Sequence, residues 1–289
     1  MSTAKPKVAV VLGGGGIKPY SAIPLIAFLN ENNIPVDLLV GCSGGSIVVS
    51  LWASGYTPDQ MLHEIAPRVK KSTFKPNWKA IKGVANLPTG CLNKESALVQ
   101  SGPIRAFFRN LWGDQRLEDL KIKTIIQVTD FQTGEGIGLE SGVLADCVYA
   151  SSAIFPLLPA VKIGDRWLFD GGYSAPVPVL QAIKENADII IAVDFLEKMQ
   201  ADPKGIFDNL MHTGKLSAKT IAAMQMALSI DMHNVEIIYM KVEFDKQIAF
   251  WEIEKFPEIL SAGEKALAKI KEDIVSVYKH KSGRDKAST

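Results

Sequence analysis

Val36-Asp37-Leu38-Leu39-Val40-Gly41-Cys42-Ser43-Gly44-Gly45-Ser46-Ile47-Val48-Val49-Ser50-Leu51-Trp52-Ala53-Ser54-Gly55 is the stretch whose reading decides the fold. The run Val36–Val40 is largely apolar and stops at a glycine. The run Ser46–Ser54 is apolar, helix-like and closed by Gly55. Between them, Gly41-Cys42-Ser43-Gly44-Gly45 matches G-x-S-x-G. A sharp strand-to-helix turn pushes such a serine hydroxyl out of a sheet, and glycines on either side relieve the crowding. The following helix brings its N–H groups and positive dipole end near a reacting oxygen. Taken alone, the five residues also allow a glycine-rich turn with an incidental serine. The strand–turn–helix setting favours Ser43 as a nucleophile in an elbow flanked by Gly41 and Gly45. Cys42 is expected to turn away from the site and pack as a small hydrophobe. Leu38–Pro58 carries no charge, but its glycine-rich, polar middle suits a buried strand, turn and helix better than a membrane span.

Outward from this stretch, strands and helices alternate. Lys7–Leu12 is a β-branched run ending at four glycines, and Ser21–Asn32 has helical spacing. Thr124–Thr129 and Ile137–Leu139 read as strands around a turn. Trp167–Phe169 is a short strand, Val179–Asn186 a helix, and Asp188–Asp194 a continuous apolar strand buried on both faces. Such alternation predicts an α/β fold with a mostly parallel sheet covered on both sides. No composition break or repeat divides the chain, so one domain is expected over residues 1–289, its part beyond residue 195 mostly helical. Glu258–Lys281 has the stripe of an amphipathic helix packed on the sheet. Met211, Met224, Met226 and Met232 are expected to fill the core, with an acyl-chain channel as the alternative.

Gly13-Gly14-Gly15-Gly16-Ile17-Lys18 follows the first strand. A phosphate-binding loop is one reading, but neither G-x-x-x-x-G-K-[ST] nor G-x-G-x-x-G fits. The other reading is an oxyanion hole of backbone N–H groups, which the elbow farther along the chain favours. A serine nucleophile also needs a base, and none of the four histidines has a recognisable catalytic or zinc-binding context. Asp170-Gly171-Gly172 stands at a strand end, although Asp-Gly is equally a common turn pair.

Together these blocks resemble the patatin-like phospholipase family. The resemblance runs from Lys7 to about Val179. It is carried by Gly14-Gly15-Gly16-x-Lys18, Val36–Gly45, Val128-Thr129-Asp130-Phe131-Gln132-Thr133-Gly134-Glu135, Ala150-Ser151-Ser152-Ala153-Ile154-Phe155-Pro156, Asp170-Gly171-Gly172 and Pro178-Val179. It implies a three-layer α/β/α fold and a Ser–Asp dyad without histidine. Ser43 would be the nucleophile, Asp170 the base, and Gly14, Gly15 and Gly16 the oxyanion hole. The implied activity is hydrolysis of lipid or small esters, phospholipase or lysophospholipase-like, with no cofactor and no metal. The chain departs from the family pattern at Pro19, at Ala22-Ile23-Pro24, at Cys42 and at Ala175-Pro176. Pro19 lacks a backbone donor, and Pro24 fits only a first helical turn, so the helix is expected to start near Ser21. These departures support a second reading, a weakly active or inactive lipid-binding or regulatory protein.

Composition bounds the partners. Of 289 residues, 47% are hydrophobic and 22% charged, as in an ordinary globular protein. Three cysteines without a CxxC pair, and an N-terminus without a signal-peptide pattern, point to the cytoplasm. The net charge of +1 gives no support for nucleic acid, yet its distribution is uneven. Residues 67–94 hold Arg68, Lys70, Lys71, Lys75, Lys79, Lys82 and Lys94 with no Asp or Glu, interleaved with Phe74, Trp78, Ile81, Val84 and Leu87. Two readings stand for this segment: a solvated loop whose apolar residues cover the core, and a peripheral contact with an anionic membrane.

Overall fold

The computed structural model describes residues 5–65, 68, 73–78, 81, 97–199, 202–232, 235–250 and 252–283. Eight strands form one sheet: β1 Val8–Leu12, β2 Leu38–Cys42, β3 Lys123–Asp130, β4 Gly136–Leu139, β5 Val161–Ile163, β6 Arg166–Asp170, β7 Ile189–Glu197 and β8 Glu236–Phe244. Their spatial order is β5-β6-β3-β2-β1-β7-β8, with β4 folded back on β3. The five strands from β3 to β8 along this path are parallel, whereas β4 and β6 run antiparallel to β3 and β5 antiparallel to β6. Leu12 is level with Gly41 on one side and Val193 on the other. The glycine loop and the elbow therefore leave the sheet side by side, at its C-terminal edge, where open α/β sheets hold their ligands.

The central strands are buried on both faces, and β1 shows how. Val8, Val10 and Leu12 enter one core, and Ala9 and Val11 enter the other. The first core is covered by α1 (Ile23–Glu31), α2 (Gly44–Ala53), α3 (Ser101–Trp112) and α4 (Leu144–Ser152). Across the sheet, α5 (Val179–Lys184) and α6 (Gly205–Met232) close the second core with Val179, Ala182, Ala222 and Met226. Two C-terminal helices, α7 (Phe256–Ala268) and α8 (Lys271–Lys281), return to the first face with Ile259, Ile274 and Tyr278. The result is the expected three-layer α/β/α arrangement.

The first helix starts at Ile23, within two residues of the expected Ser21, directly after a 3₁₀ turn over Lys18–Ala22 that accommodates Pro19, and Pro24 sits in its first turn. Several local expectations are corrected. The helix expected over Glu258–Lys281 is two helices, broken at Lys269-Ile270, where Ile270 leaves helical geometry (φ −125°). The region beyond residue 195 also contains β8, whose residues Ile238, Met240, Val242 and Phe244 alternate inward. Met226 fills the core, but Met224 is 63% exposed on the outer side of α6. Of the basic segment 67–94, residues 68, 73–78 and 81 are described; Lys70, Lys71, Lys79, Lys82, Val84, Leu87, Cys91 and Lys94 lie outside the described residues. Among the described residues no helix is long and apolar enough to cross a membrane.

Candidate active site

The elbow is built by exclusion of side chains. A methyl group on Gly41 would lie 2.5 Å from Val49 Cγ2, one on Gly44 would strike the Gly16 carbonyl, and one on Gly45 would strike the carbonyls of Leu12 and Gly13. These glycines let α2 start directly against the glycine loop. Between them Ser43 takes φ 51° and ψ −124°, a conformation that costs a residue with a Cβ about 1–3 kcal/mol and persists only where its surroundings impose it. The surroundings do so with three hydrogen bonds. The Ser43 N–H donates to Ser151 Oγ at 2.8 Å, Ser151 Oγ donates to the Gln127 carbonyl at 2.7 Å, and Ser46 Oγ donates to the Ser43 carbonyl at 2.6 Å. Cys42 is fully buried with its Sγ 3.7 Å from a Cβ position on Gly14, and burial, with the Asp170 charge, pushes its thiol pKa well above the ordinary value.

Ser43 Oγ donates to Asp170 Oδ2 at 2.7 Å. Asp170 ends β6 and is 4% exposed. Its other oxygen, Oδ1, accepts the Gly172 N–H at 2.7 Å, and its carbonyl accepts Thr129 Oγ1 at 2.9 Å. Gly171 backs onto the Gln127 backbone so closely that no side chain fits there. Burial pushes the Asp170 carboxyl up to about 6, against the opposing pull of the Gly172 N–H and the Ser43 hydroxyl. No imidazole is among the partners of Asp170 in the described residues. A carboxylate so placed is a better base than one in water, and it already shares the proton of the serine that would attack.

The glycine loop lies against this pair, with a Cβ position on Gly14 only 3.4 Å from Ser43 Cβ. The loop is not three free donors. Gly13 N–H donates to the Val193 carbonyl at 3.0 Å, and Gly14 N–H donates to the Pro176 carbonyl at 2.9 Å. The expectation that Gly14 lends its N–H to an oxyanion is thereby corrected, because that hydrogen is spent on holding the loop. The N–H groups of Gly15 and Gly16 have no partner among the described residues. Pro176, one of the departures from the family pattern, supplies the anchoring carbonyl. A phosphate-loop reading loses its lysine, since Lys18 turns inward to Glu197 at 2.9 Å.

Sequence reasoning missed Ser151 and Thr129 as supports of the hydrogen-bonded Ser43–Asp170 pair, although both lie in blocks singled out above. It also missed an aromatic group around Asp170: Phe131 and Phe169 (centroids 5.2 Å apart), Phe155, and Tyr173, which stacks on Phe169 at 4.6 Å and donates to the Phe155 carbonyl at 2.6 Å. No group of three or more His, Cys, Asp or Glu side chains among the described residues could hold a metal ion.

The sequence profile described as "Patatin-like phospholipase" matches residues 10–183, more than half of the chain, including Ser43, Asp170 and the glycine loop. The chain belongs to the patatin-like phospholipase family. Among curated relatives, Lysophospholipase NTE1 of Debaryomyces hansenii is 30% identical over 192 residues, covering 65% of this chain and 12% of that protein. An uncharacterised NTE family protein of Mycobacterium bovis is 28% identical over 201 residues, covering 70% of this chain and 52% of that one. The chain thus spans about an eighth of the yeast relative's length and about half of the mycobacterial one. Among solved structures, VipD from Legionella pneumophila has a TM-score of 0.47 and 12% identity, over 92% of this chain and 67% of that one.

Proposed function

We propose that this chain is a serine acyl-hydrolase that cleaves lipid esters with Ser43 and Asp170 as a two-residue catalytic unit. The observation that carries the proposal is the 2.7 Å hydrogen bond from Ser43 Oγ to a buried carboxylate with no histidine between them. Asp170 takes the hydroxyl proton as Ser43 Oγ attacks the ester carbonyl, and the negative charge passes to the carbonyl oxygen. The N–H groups of Gly15 and Gly16, helped by the first turn of α2, stabilise that oxyanion. Collapse of the tetrahedral intermediate expels the alcohol, which takes the proton back from Asp170 and leaves an acyl group on Ser43. Water then attacks the acyl-enzyme, giving its proton to Asp170, and the fatty acid leaves as Ser43 is reprotonated. The aromatic group beside Asp170 supplies an apolar wall for an acyl chain.

The relatives' name makes a lysophospholipid the first substrate to test, ahead of diacyl phospholipids and simple esters. The basic segment that starts at residue 67 is proposed as a peripheral contact with anionic lipid. Trp78, 65% exposed, supports this, and Phe74 anchors the segment on Phe250 with rings 4.7 Å apart. The proposal treats the chain as one domain, cytoplasmic or peripheral to a membrane. The commitment of the Gly14 N–H favours a second reading, a slow or silent lipid-binding protein. Fluorophosphonate labelling separates the two. Covalent modification at Ser43, lost in Ser43→Ala, supports the hydrolase; no modification with an intact fold overturns it.

A further inference from the structure

Behind the glycine loop lies a charged cluster that the reaction above does not use. Lys18, just past the loop, is 7% exposed. Its ammonium sits 2.9 Å from Oε1 of Glu197, the last residue of β7. Oε2 of the same carboxylate is 2.9 Å from Lys215 Nζ on α6. Oε1 also accepts the Ile248 N–H at 2.9 Å. Burial pushes the Lys18 pKa down against the pull of Glu197. Burial pushes Glu197 the other way, but Lys18, the Ile248 N–H and Lys215 outweigh it and hold the carboxyl below its ordinary value. Buried charges are costly to keep, so a cluster like this calls for a task.

Its neighbours indicate the task. Lys18 folds back under the loop, its Cε 3.2 Å from where a Gly15 Cβ would stand, and its N–H donates to the Gly15 carbonyl at 3.1 Å. At the next residue of the loop, Phe250 Cβ is 3.1 Å from the corresponding position on Gly16. Phe250 lies two residues beyond Ile248. One carboxylate therefore grips the loop twice, beneath Gly15 through Lys18 and beside Gly16 through the Ile248–Phe250 segment, while Lys215 fastens it to the opposite layer.

We propose that Glu197 and Lys215, both outside the family-matched residues 10–183, are positioning residues that fix the Gly15 and Gly16 donors relative to Ser43. The proposal rests on the serine-hydrolase reading. It gives Lys18 the role of an internal strut; buried and paired, it does not meet a substrate headgroup.

The test uses the full chain with Glu197→Gln, Lys18→Met, Lys18→Arg and Lys215→Met. Kinetics are read on p-nitrophenyl butyrate and lysophosphatidylcholine, and backbone hydrogen exchange on residues 13–18 and 246–250. Glu197→Gln and Lys18→Met should lower kcat about 10- to 100-fold on both substrates, because displaced oxyanion donors act in the transition state. KM should stay within about threefold and both segments should exchange faster, as expected for lost transition-state rather than ground-state contacts. Lys18→Arg, which keeps the charge, should recover much of kcat. Lys215→Met leaves the buried pair intact and should lose about 3- to 10-fold, a milder displacement of the same donors; this variant carries the test if Glu197→Gln fails to fold. Unchanged kcat and unchanged exchange in the variants that fold would overturn the proposal. So would a rise in KM confined to the phospholipid, which would make Lys18 a headgroup ligand. A wild type that neither hydrolyses esters nor labels at Ser43 would defeat the hydrolase reading instead, and the exchange experiment would still decide whether the cluster holds the loop.

Discussion

Asp170→Asn should leave the protein inert and at the same time more stable at pH 8. The side chain is 4% exposed, and burial raises its pKa from 3.8 to about 6. Raising a carboxyl this far means that its protonated form is favoured by the fold. That stabilisation is complete below about pH 4, the unfolded value, and is lost as the pH climbs through about 6. Above that, the native state carries a buried carboxylate at a cost of about 3 kcal/mol relative to a neutral group there. Asparagine is neutral throughout, has the same shape, and can accept from Gly172 N–H through Oδ1 while its amide donates to Ser43 Oγ. At roughly 2 °C per kcal/mol for a chain of this size, the variant should melt about 6 °C above the wild type at pH 8. The two should converge toward pH 4. In the wild type, kcat/KM on a short ester should rise through a midpoint near 6, be about tenfold lower at pH 5 than on its plateau, and stay flat above pH 7. Calorimetry from pH 4 to 8 and a kcat/KM profile over the same range provide both readings. A flat profile in the wild type, or an Asp170→Asn protein that melts lower at pH 8, would refute the reasoning.

Other expectations follow from the same geometry. Ser43→Ala should remove fluorophosphonate labelling and lower ester hydrolysis by at least about 10⁴-fold, with a circular dichroism spectrum like the wild type's. Ser151→Ala strips the acceptor from the Ser43 N–H and the donor from the Gln127 carbonyl. It should cost about 1–3 kcal/mol in denaturant unfolding and lower kcat about tenfold. Gly45→Ala, whose methyl meets the Leu12 and Gly13 carbonyls, should destabilise by about 3 kcal/mol, visible as a fall in Tm. Co-sedimentation with vesicles should increase with anionic lipid content and weaken in salt; binding indifferent to lipid charge would remove residues 67–94 from the account.

The central fold was legible because its signals are local. Glycines that must be glycines, and β-branched runs buried on both faces, mark β1, β2, β7 and the elbow within a few residues. Asp170 was not legible alone, since an Asp-Gly pair reads equally as a turn. The resemblance singled it out, and the structure brings it to Ser43 across 127 residues of chain. What the sequence concealed is mostly long-range. Glu197 looks like one more surface acid until β7, the 3₁₀ turn and α6 bring two lysines to it. The engagement of the Gly14 N–H depends on a carbonyl far along the chain, which no local pattern reports. β8 is a different case: its inward alternation is local and plain in Glu236–Phe244, where every second residue from Ile238 to Phe244 is buried.

Two sorts of constraint meet at the elbow, and they need not fail together. Gly41, Gly44 and Gly45 are required by volume: the strand, the helix and the loop come too close for a methyl group, whatever chemistry takes place there. Under the proposed mechanism, Ser43 and Asp170 are required by turnover alone. A descendant that lost the proposed hydrolysis could exchange the hydroxyl or the carboxyl at little structural cost, and by the argument on Asp170 would gain stability from the second exchange. It could not shed the glycines and keep the elbow. The glycine spacing in a distant homologue is therefore a record of shape, and lapsed enzymes are to be recognised at the two positions where function and stability pull in opposite directions.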